Sequence, residues 1–501
     1  MDGRLQRVPL IVLLLGLTGA AMLIPAAHAL VLRDHDTSRA FAYSAVLLGG
    51  LAAMLALATA RGGTRPAVRG LLPVLTAIYV VIPAAMALPL AEALGMRFTD
   101  AWFEMVASFT TTGATLIETP RRVPDPVHLW RGLAGWAGGL FVLVSALAFL
   151  APLRLGGYEL LRPDAGGTLA GAPPPAVERQ RLRAALALAL PWYAGFTGAA
   201  WLLLAVQGMP GFPALMLAMS AISTSGILPR ESLGAVGLGA EVVLAAAMAL
   251  SLSRALSAPG MRPSARRPQL LRKDPELRTA LAVVGAVGLF VLARHWAGAY
   301  EAAEGEELPV LGAAAWGAVF TGLSFLTTTG FVSHDWIVAQ AWSGLTPPGL
   351  VLMGLALMGG GVATTAGGVK LLRVYAMTRL GGLEMERLIH PRLVDPGTEY
   401  QRFLAGRGAR AAWLFAMVFA IVAVAVVGLL MLTGQSLETG LIFAVSALTT
   451  TGPLVEVAGD QALHWAQTTD AARLILGCAM ILGRLEILVI LALALAQIAR
   501  D

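Results

Sequence analysis

Ten runs of about twenty or more mainly apolar residues punctuate this chain. They lie near residues 8–32, 40–60, 68–91, 128–153, 184–206, 236–257, 278–297, 347–378, 408–433 and 471–499. A helix of about 20 apolar residues crosses the hydrocarbon core of a bilayer, so each run is long enough to span it. Mean hydropathy is +0.74 over 501 residues and only 13% are charged. A soluble domain carries roughly 25%, so an ordinary soluble enzyme is excluded. The single cysteine, Cys478, excludes a disulfide framework and a cysteine-based metal site. Seven dispersed histidines form no His-Glu-x-x-His motif, which argues against a metalloprotease. The chain reads as an all-α polytopic membrane protein.

Four shorter apolar stretches sit between the long ones, near residues 99–111, 213–224, 314–328 and 438–450. They are too short to span and fit re-entrant half-helices. Charge sets the orientation. With both termini in the cytoplasm, the inward segments hold 26 of the 36 Lys and Arg, while outward and membrane segments hold 19 of the 30 acidic residues. That asymmetry obeys the positive-inside rule, so the net charge of +6 reports topology and not nucleic-acid binding. Arg4, Arg7 and Ala27-His28-Ala29 also resemble a signal peptide with its cleavage site, although the apolar run exceeds the usual core of about 7–15 residues. Cleavage would leave the downstream orientation unchanged.

Each short stretch ends in a hydroxyl-rich tripeptide and a glycine. The copies are Thr110-Thr111-Thr112-Gly113, Ser223-Thr224-Ser225-Gly226, Thr327-Thr328-Thr329-Gly330 and Thr449-Thr450-Thr451-Gly452, with glycines 113, 104 and 122 residues apart. One such tetrapeptide is ordinarily a loop with a glycine helix cap. Four copies at near-constant spacing, each closing a sub-spanning helix, define a fourfold repeat. A non-helical loop at membrane depth is tolerated only inside protein or along a water-filled cavity. Glycine frees the backbone to turn carbonyls toward an axis, and threonine adds uncharged hydroxyl oxygens. Four such loops can replace a cation's hydration shell, with the partly negative helix C-termini aimed at the ion.

On these loops the chain resembles the Trk/Ktr/HKT superfamily of potassium transporters, and within it the bacterial Trk-type membrane subunit. Further points of resemblance are Trp130-Arg131, Gly135-Trp136-Ala137-Gly138-Gly139, Thr329-Gly330-Phe331 and Gly483-Arg484-Leu485-Glu486. The resemblance implies four span–pore helix–span repeats around a pseudo-fourfold pore, after two extra amino-terminal spans. The expected units are 1–66 for the extra spans, then 67–157, 158–260, 261–380 and 381–501. It implies a filter of Thr111, Thr112, Gly113, Thr224, Ser225, Gly226, Thr328, Thr329, Gly330, Thr450, Thr451 and Gly452. Glycine at all four positions goes with potassium preference in this superfamily, whereas serine at the first accompanies sodium transport in plant relatives. The resemblance further implies a homodimer in the bacterial inner membrane, a cytosolic ring of nucleotide-binding (TrkA-like) domains, and transported potassium with no prosthetic group. Two departures stand out: the second loop is less regular, and Pro453 restricts Gly452.

The 347–378 run is interrupted by Gly359-Gly360-Gly361-Val362-Ala363-Thr364-Thr365-Ala366-Gly367-Gly368, then Val369-Lys370. So many glycines do not favour a continuous helix. Two readings stand: a stretch of small residues for helix packing, or an unwound loop like the superfamily's intramembrane gate. The gate would comprise Gly359, Gly360, Gly361, Thr364, Thr365, Gly367 and Gly368, with Lys370 and Arg484. Arg484, mid-helix in the last run, is either an electrostatic barrier below the filter or half of a buried pair. Lys370 either snorkels to the interface or takes part in gating. Asp100 and Glu104 are candidates for attracting cations to the outer mouth, as is the Glu301, Glu304, Glu306 and Glu307 cluster, which also fits a solvated loop. A sodium-permeable relative and a secondary transporter of an organic solute are the competing functions. The latter predicts inverted repeats and charged groups at the midplane. No nucleophile–base pair marks an enzyme.

Overall fold

The computed structural model describes residues 8–60, 71–151, 157–160, 175–229, 233, 236–257, 271–298, 307–343, 349–391, 397–459 and 461–485. Every regular element among them is a helix. The first run forms α1 (Leu10–Ala21) and α2 (Leu23–Val31), which continue through Met22 as one span. The chain reverses at Arg33 and Asp34, and the Asp34 carboxylate accepts the Thr37 N–H at 3.1 Å, capping α3 (His35–Ala60).

Four helical units follow. The first has α4 (Leu71–Leu94), α5 (Phe98–Phe109) and α6 (Asp125–Ser145), and the second α7 (Pro175–Val206), α8 (Gly211–Ser223) and α9 (Leu238–Ala249). The third has α10 (Pro275–Gly298), α11 (Glu307–Leu326), α12 (Trp336–Ser343), α13 (Gly349–Met358) and α14 (Leu371–Ile389). The fourth has α15 (Ala409–Leu432), α16 (Leu437–Leu448), α17 (Leu454–Ala458) and α18 (Asp470–Leu485). The pore helices α5, α8, α11 and α16 each pack on the helices before and after them in their own unit. Each also touches the last core helix of the preceding unit: α8 on α6, α11 on α9, α16 on α13, and α5 on α18. The fourth contact closes the ring, so the units are arranged cyclically.

The periphery suits lipid. Leu57, Leu202 and Val424 are 73%, 61% and 72% exposed on α3, α7 and α15, and a helix apolar all round is matched to a bilayer. Six helices among the described residues are long and apolar enough to cross a membrane, against the ten runs expected. The 236–257 run breaks after Ala249. Ser251 Oγ donates to the Met248 carbonyl at 2.7 Å and Ser253 Oγ accepts the Ala255 N–H at 3.0 Å, local bonds that compete with the helical ladder. The 347–378 run splits into α13 and α14, and the glycine stretch between them is not helical. The 278–297 run is helical as α10, and the 471–499 run is described only to Leu485. One half-helix is longer than expected: α11 has 20 residues and starts at Glu307.

Glycine sets how closely the spans approach the pore helices. A Cβ on Gly138 of α6 would overlap the Phe109 carbonyl that ends α5, and one on Gly483 of α18 would overlap the Leu448 carbonyl that ends α16. Overpacking of this kind typically costs about 1–3 kcal/mol. Gly138→Ala and Gly483→Ala are therefore each expected to unfold several degrees earlier in detergent, while Gly428→Ala, where a Cβ meets nothing within 4 Å, leaves the transition unmoved.

Candidate functional site

All four pore helices end in the same way. The second residue of each motif is left-handed, with φ of 55° at Thr111, 51° at Thr224, 57° at Thr328 and 55° at Thr450. This region strongly disfavours a β-branched residue. The third residue's N–H reaches the carbonyl five positions back: Thr112 to Ala107 at 2.8 Å, Ser225 to Ser220 at 3.0 Å, Thr329 to Ser324 and Thr451 to Ser446 both at 2.9 Å. The second residue bonds three back, as Thr111 does to Ser108 at 3.0 Å. These are the two bonds of a Schellman cap, with threonine where glycine is usual. The hydroxyls of the first and third residues also pair in every copy, at 2.8 Å for Thr110 and Thr112, 3.0 Å for Ser223 and Ser225, 3.0 Å for Thr327 and Thr329, and 3.2 Å for Thr449 and Thr451. The less regular second loop thus keeps the shared geometry.

The motif glycines turn the chain again, with φ of 73° at Gly113, 65° at Gly226 and 84° at Gly330. In an extended chain successive carbonyls point to opposite sides, and left-handed residues at alternate positions bring them toward one side. Each loop then abuts its neighbour. A Cβ on Gly113 would overlap the Ser225 carbonyl, one on Gly226 the Thr329 carbonyl, one on Gly330 the Pro453 ring, and one on Gly452 the Thr112 carbonyl and the Ala114 amide. All twelve expected filter residues converge in this ring. The fourth loop differs: Gly452 is not left-handed and its N–H donates to the Thr112 carbonyl at 2.6 Å. Pro453, which biases the preceding residue toward extended conformations, is the cause. The buried Thr111 and Thr450 hydroxyls have no hydrogen-bond partner among the described residues.

The glycine stretch forms a closed loop against this ring. Its neck is tied by Val369 N–H to the Leu357 carbonyl, Lys370 N–H to Met358 and Leu371 N–H to Gly360, each at 2.9 Å. Gly359 and Gly368 meet at the neck without room for a Cβ, and Gly360 and Gly361 lie on the Ser251 and Leu252 carbonyls. At the tip, Gly367 N–H donates to Thr328 Oγ1 at 2.7 Å, and a Cβ there would strike Thr449 and Thr450. Thr365 Oγ1 donates to the Ile222 carbonyl at 3.2 Å, Thr364 Oγ1 to Gly361 at 2.8 Å, and Arg484 Nη1 to the Thr365 carbonyl at 2.6 Å. The loop therefore contacts the third and fourth motifs and the end of the second pore helix. A cavity of about 210 Å³ flanks it, lined among others by Leu147, Trp192, Tyr193, Arg254 and Thr364.

Several expected positions are corrected. Lys370 does not snorkel: it is buried, left-handed at φ 84°, and its Nζ donates to the Ala366 carbonyl. Glu104 is not at an outer mouth. It is fully buried behind the first loop, paired with Arg131 at 2.6 Å and accepting Thr115 Oγ1 at 2.8 Å and Leu116 N–H at 2.9 Å. Asp100 is engaged by Arg97 at 3.0 Å and Arg473 at 2.7 Å, tying α5 to α18. Arg97 also binds Asp470 at 2.7 Å and holds that carboxyl below the usual carboxylate range. Arg484 donates to a loop carbonyl, and no acid pairs with it among the described residues. Glu301, Glu304 and Glu306, the Glu307 side chain, and Glu486 lie outside the described residues.

Three supports escape the motif reading. Glu241 is buried and accepts Trp316 Nε1 at 2.6 Å, Ser333 Oγ at 2.9 Å and His334 N–H at 3.0 Å, bracing the strand of chain after Gly330 as Glu104 braces that after Gly113. Trp465 Nε1 donates to the Gly452 carbonyl at 3.2 Å. Glu276 binds the glycine loop. For Glu241 the available signal was the rarity of an acid inside an apolar run.

A cyclic set of four pore-loop units with an unwound glycine loop packed against them defines a polytopic membrane transport protein. Residues 281–499 match the family model described as "TrkH: Cation transport protein". The Trk system potassium uptake proteins TrkH of Vibrio parahaemolyticus and Escherichia coli K12 are 28% and 27% identical to this chain, each over 96% of both sequences. The crystal structure of the potassium transporter TrkH from Vibrio parahaemolyticus superposes with a TM-score of 0.79 at 25% identity, covering 98% of each chain. Over nearly its whole length the chain is thus similar to TrkH potassium uptake proteins, and its second half to the TrkH cation transport family model.

Removing one partner of a buried ion pair costs about 3–5 kcal/mol. Glu104→Gln is thus expected to destabilise strongly in a detergent thermal melt. The double variant Glu104→Leu/Arg131→Met should recover only part of the loss, because Thr115 and Leu116 still lack their acceptor.

Proposed function

We propose that this protein takes up potassium through the four-loop ring. The observation that carries the reading is the fourfold recurrence of one backbone and hydroxyl geometry in loops that touch cyclically. Carbonyls and hydroxyls of Thr111, Thr112, Thr224, Ser225, Thr328, Thr329, Thr450 and Thr451 supply uncharged oxygens. Gly113, Gly226, Gly330 and Gly452 let those oxygens approach the axis. A hydroxyl left unpaired in the interior is costly, and a dehydrated cation would satisfy Thr111 and Thr450.

The glycine loop serves as the gate. Glycines at its neck and tip minimise what must move, and the adjoining cavity gives it space to withdraw. Arg484 holds the loop through Thr365 and places positive charge below the ring, a barrier that falls when the loop leaves. The chain would work as a homodimer in the bacterial inner membrane, with both termini and the basic loops cytoplasmic. Those loops suit a cytosolic nucleotide-binding ring. The division into units at 66/67, 157/158, 260/261 and 380/381 belongs to the same reading.

The irregular fourth loop is the observation favouring some sodium permeability, since its Gly452 N–H occupies a carbonyl that would otherwise face the ion. Rubidium-86 uptake into proteoliposomes under an inside-negative potential separates the two. Unlabelled potassium should compete at least tenfold better than sodium, and Gly330→Ser should narrow that ratio. Equal competition by both ions, or a ratio untouched by Gly330→Ser, rejects the potassium filter.

A further inference from the structure

The glycine loop is held from the side opposite the filter by a single carboxylate. Glu276, at the start of α10, is 5% exposed. One of its oxygens accepts the Val362 N–H of the loop at 2.7 Å, and the other accepts the Arg254 N–H at 3.3 Å. Asp274 fixes the carboxylate's own backbone, accepting the Glu276 N–H at 3.0 Å, while its other oxygen accepts Ser253 Oγ. One residue before Val362, Gly361 N–H donates to the Ser251 carbonyl at 2.9 Å. The break in the second unit's last helix, the start of the third unit and the loop thus meet at one side chain.

The Val362 side chain has a seat of its own. It is 1% exposed and packs with Leu160, Leu372 and Leu404, and Gly157 makes room for it because a Cβ there would collide with its methyls. Residues 157–160 belong to the basic connection at 154–183, and Arg254 to Glu276 bound the one at 254–278. Both connections therefore converge on the same loop residue, one through its side chain and one through its N–H.

We infer that Glu276 is the positioning residue that latches the glycine loop beneath the filter, and that the two basic connections act on the loop through Val362. This rests on the transport reading above. A buried carboxyl group is costly unless it is hydrogen-bonded, and this one is held by backbone donors, of which the loop supplies the shorter. Moving either connection unseats Val362. The strain left in the loop, with Ala363 at φ 58° and Lys370 at φ 84°, then favours withdrawal of Gly367 from Thr328.

The test is basal rubidium-86 flux through the full chain in proteoliposomes with no other protein added. Loss of the acceptor of a buried loop N–H predicts a rise on the order of tenfold for Glu276→Ala. Glu276→Gln should rise less, because its amide oxygen still accepts from Val362 while its nitrogen cannot accept from Arg254. Val362→Ala, which keeps the N–H bond and empties the side-chain seat, should also raise flux. Misfolding would lower flux, so an increase with potassium-over-sodium competition retained supports the latch. Flux at or below wild type in Glu276→Ala, recovered monodisperse, overturns it. Should that variant not be recovered, unchanged flux in Val362→Ala overturns it equally. The Gly330→Ser comparison in the same vesicles reports on the filter alone, so a failed latch and a failed transport reading give different results.

Discussion

The contact between each motif glycine and the neighbouring loop is the constraint on which the architecture rests. Four backbones occupy one axis only because Gly113, Gly226, Gly330 and Gly452 present no Cβ to the carbonyl, ring or amide beside them. That proximity is coupled to strain. A β-branched residue in the left-handed region costs on the order of 1–3 kcal/mol, and the ring carries four of them. Each is over-determined by two Schellman bonds and a hydroxyl pair, so the loops are pre-formed and do not depend on a ligand to shape them.

Buried charge supports the ring from behind. Glu104 with Arg131 and Glu241 with Trp316 and Ser333 brace the chain leaving the first and third loops, and Trp465 braces the fourth. Charges at membrane depth are expensive and persist where a function needs them fixed. Here they orient segments that have left helical geometry and would otherwise have no fixed course. Arg484 and Glu276 apply the same logic to the glycine loop, one from α18 and one from α10.

The ring was legible in the sequence because glycine and threonine at fixed intervals report a local conformational demand. The interruption of the 347–378 run was legible for the same reason, as was the constraint of Pro453 on Gly452. What stayed hidden depends on partners distant along the chain. Nothing near Glu104 announces Arg131 or Leu116, so an acid before a filter read as an exposed attractor. For Lys370 snorkelling and gating both stood open, and only the fold shows its Nζ turned inward onto the Ala366 carbonyl. The 236–257 run read as a continuous span because its serines look compatible with helix; their local bonds, and the use of the Ser251 carbonyl by Gly361, end it. The acid Glu276 could be seen, but not the loop it holds.

The central claim is that the four loops encircle a monovalent cation. Crystals grown in thallium, diffracted at its absorption edge, test it directly. Anomalous density on the axis among Thr112, Ser225, Thr329 and Thr451 is the expected result, weakened when potassium is restored and insensitive to sodium at equal concentration. Density confined to the protein surface, with none inside the ring, would contradict the account.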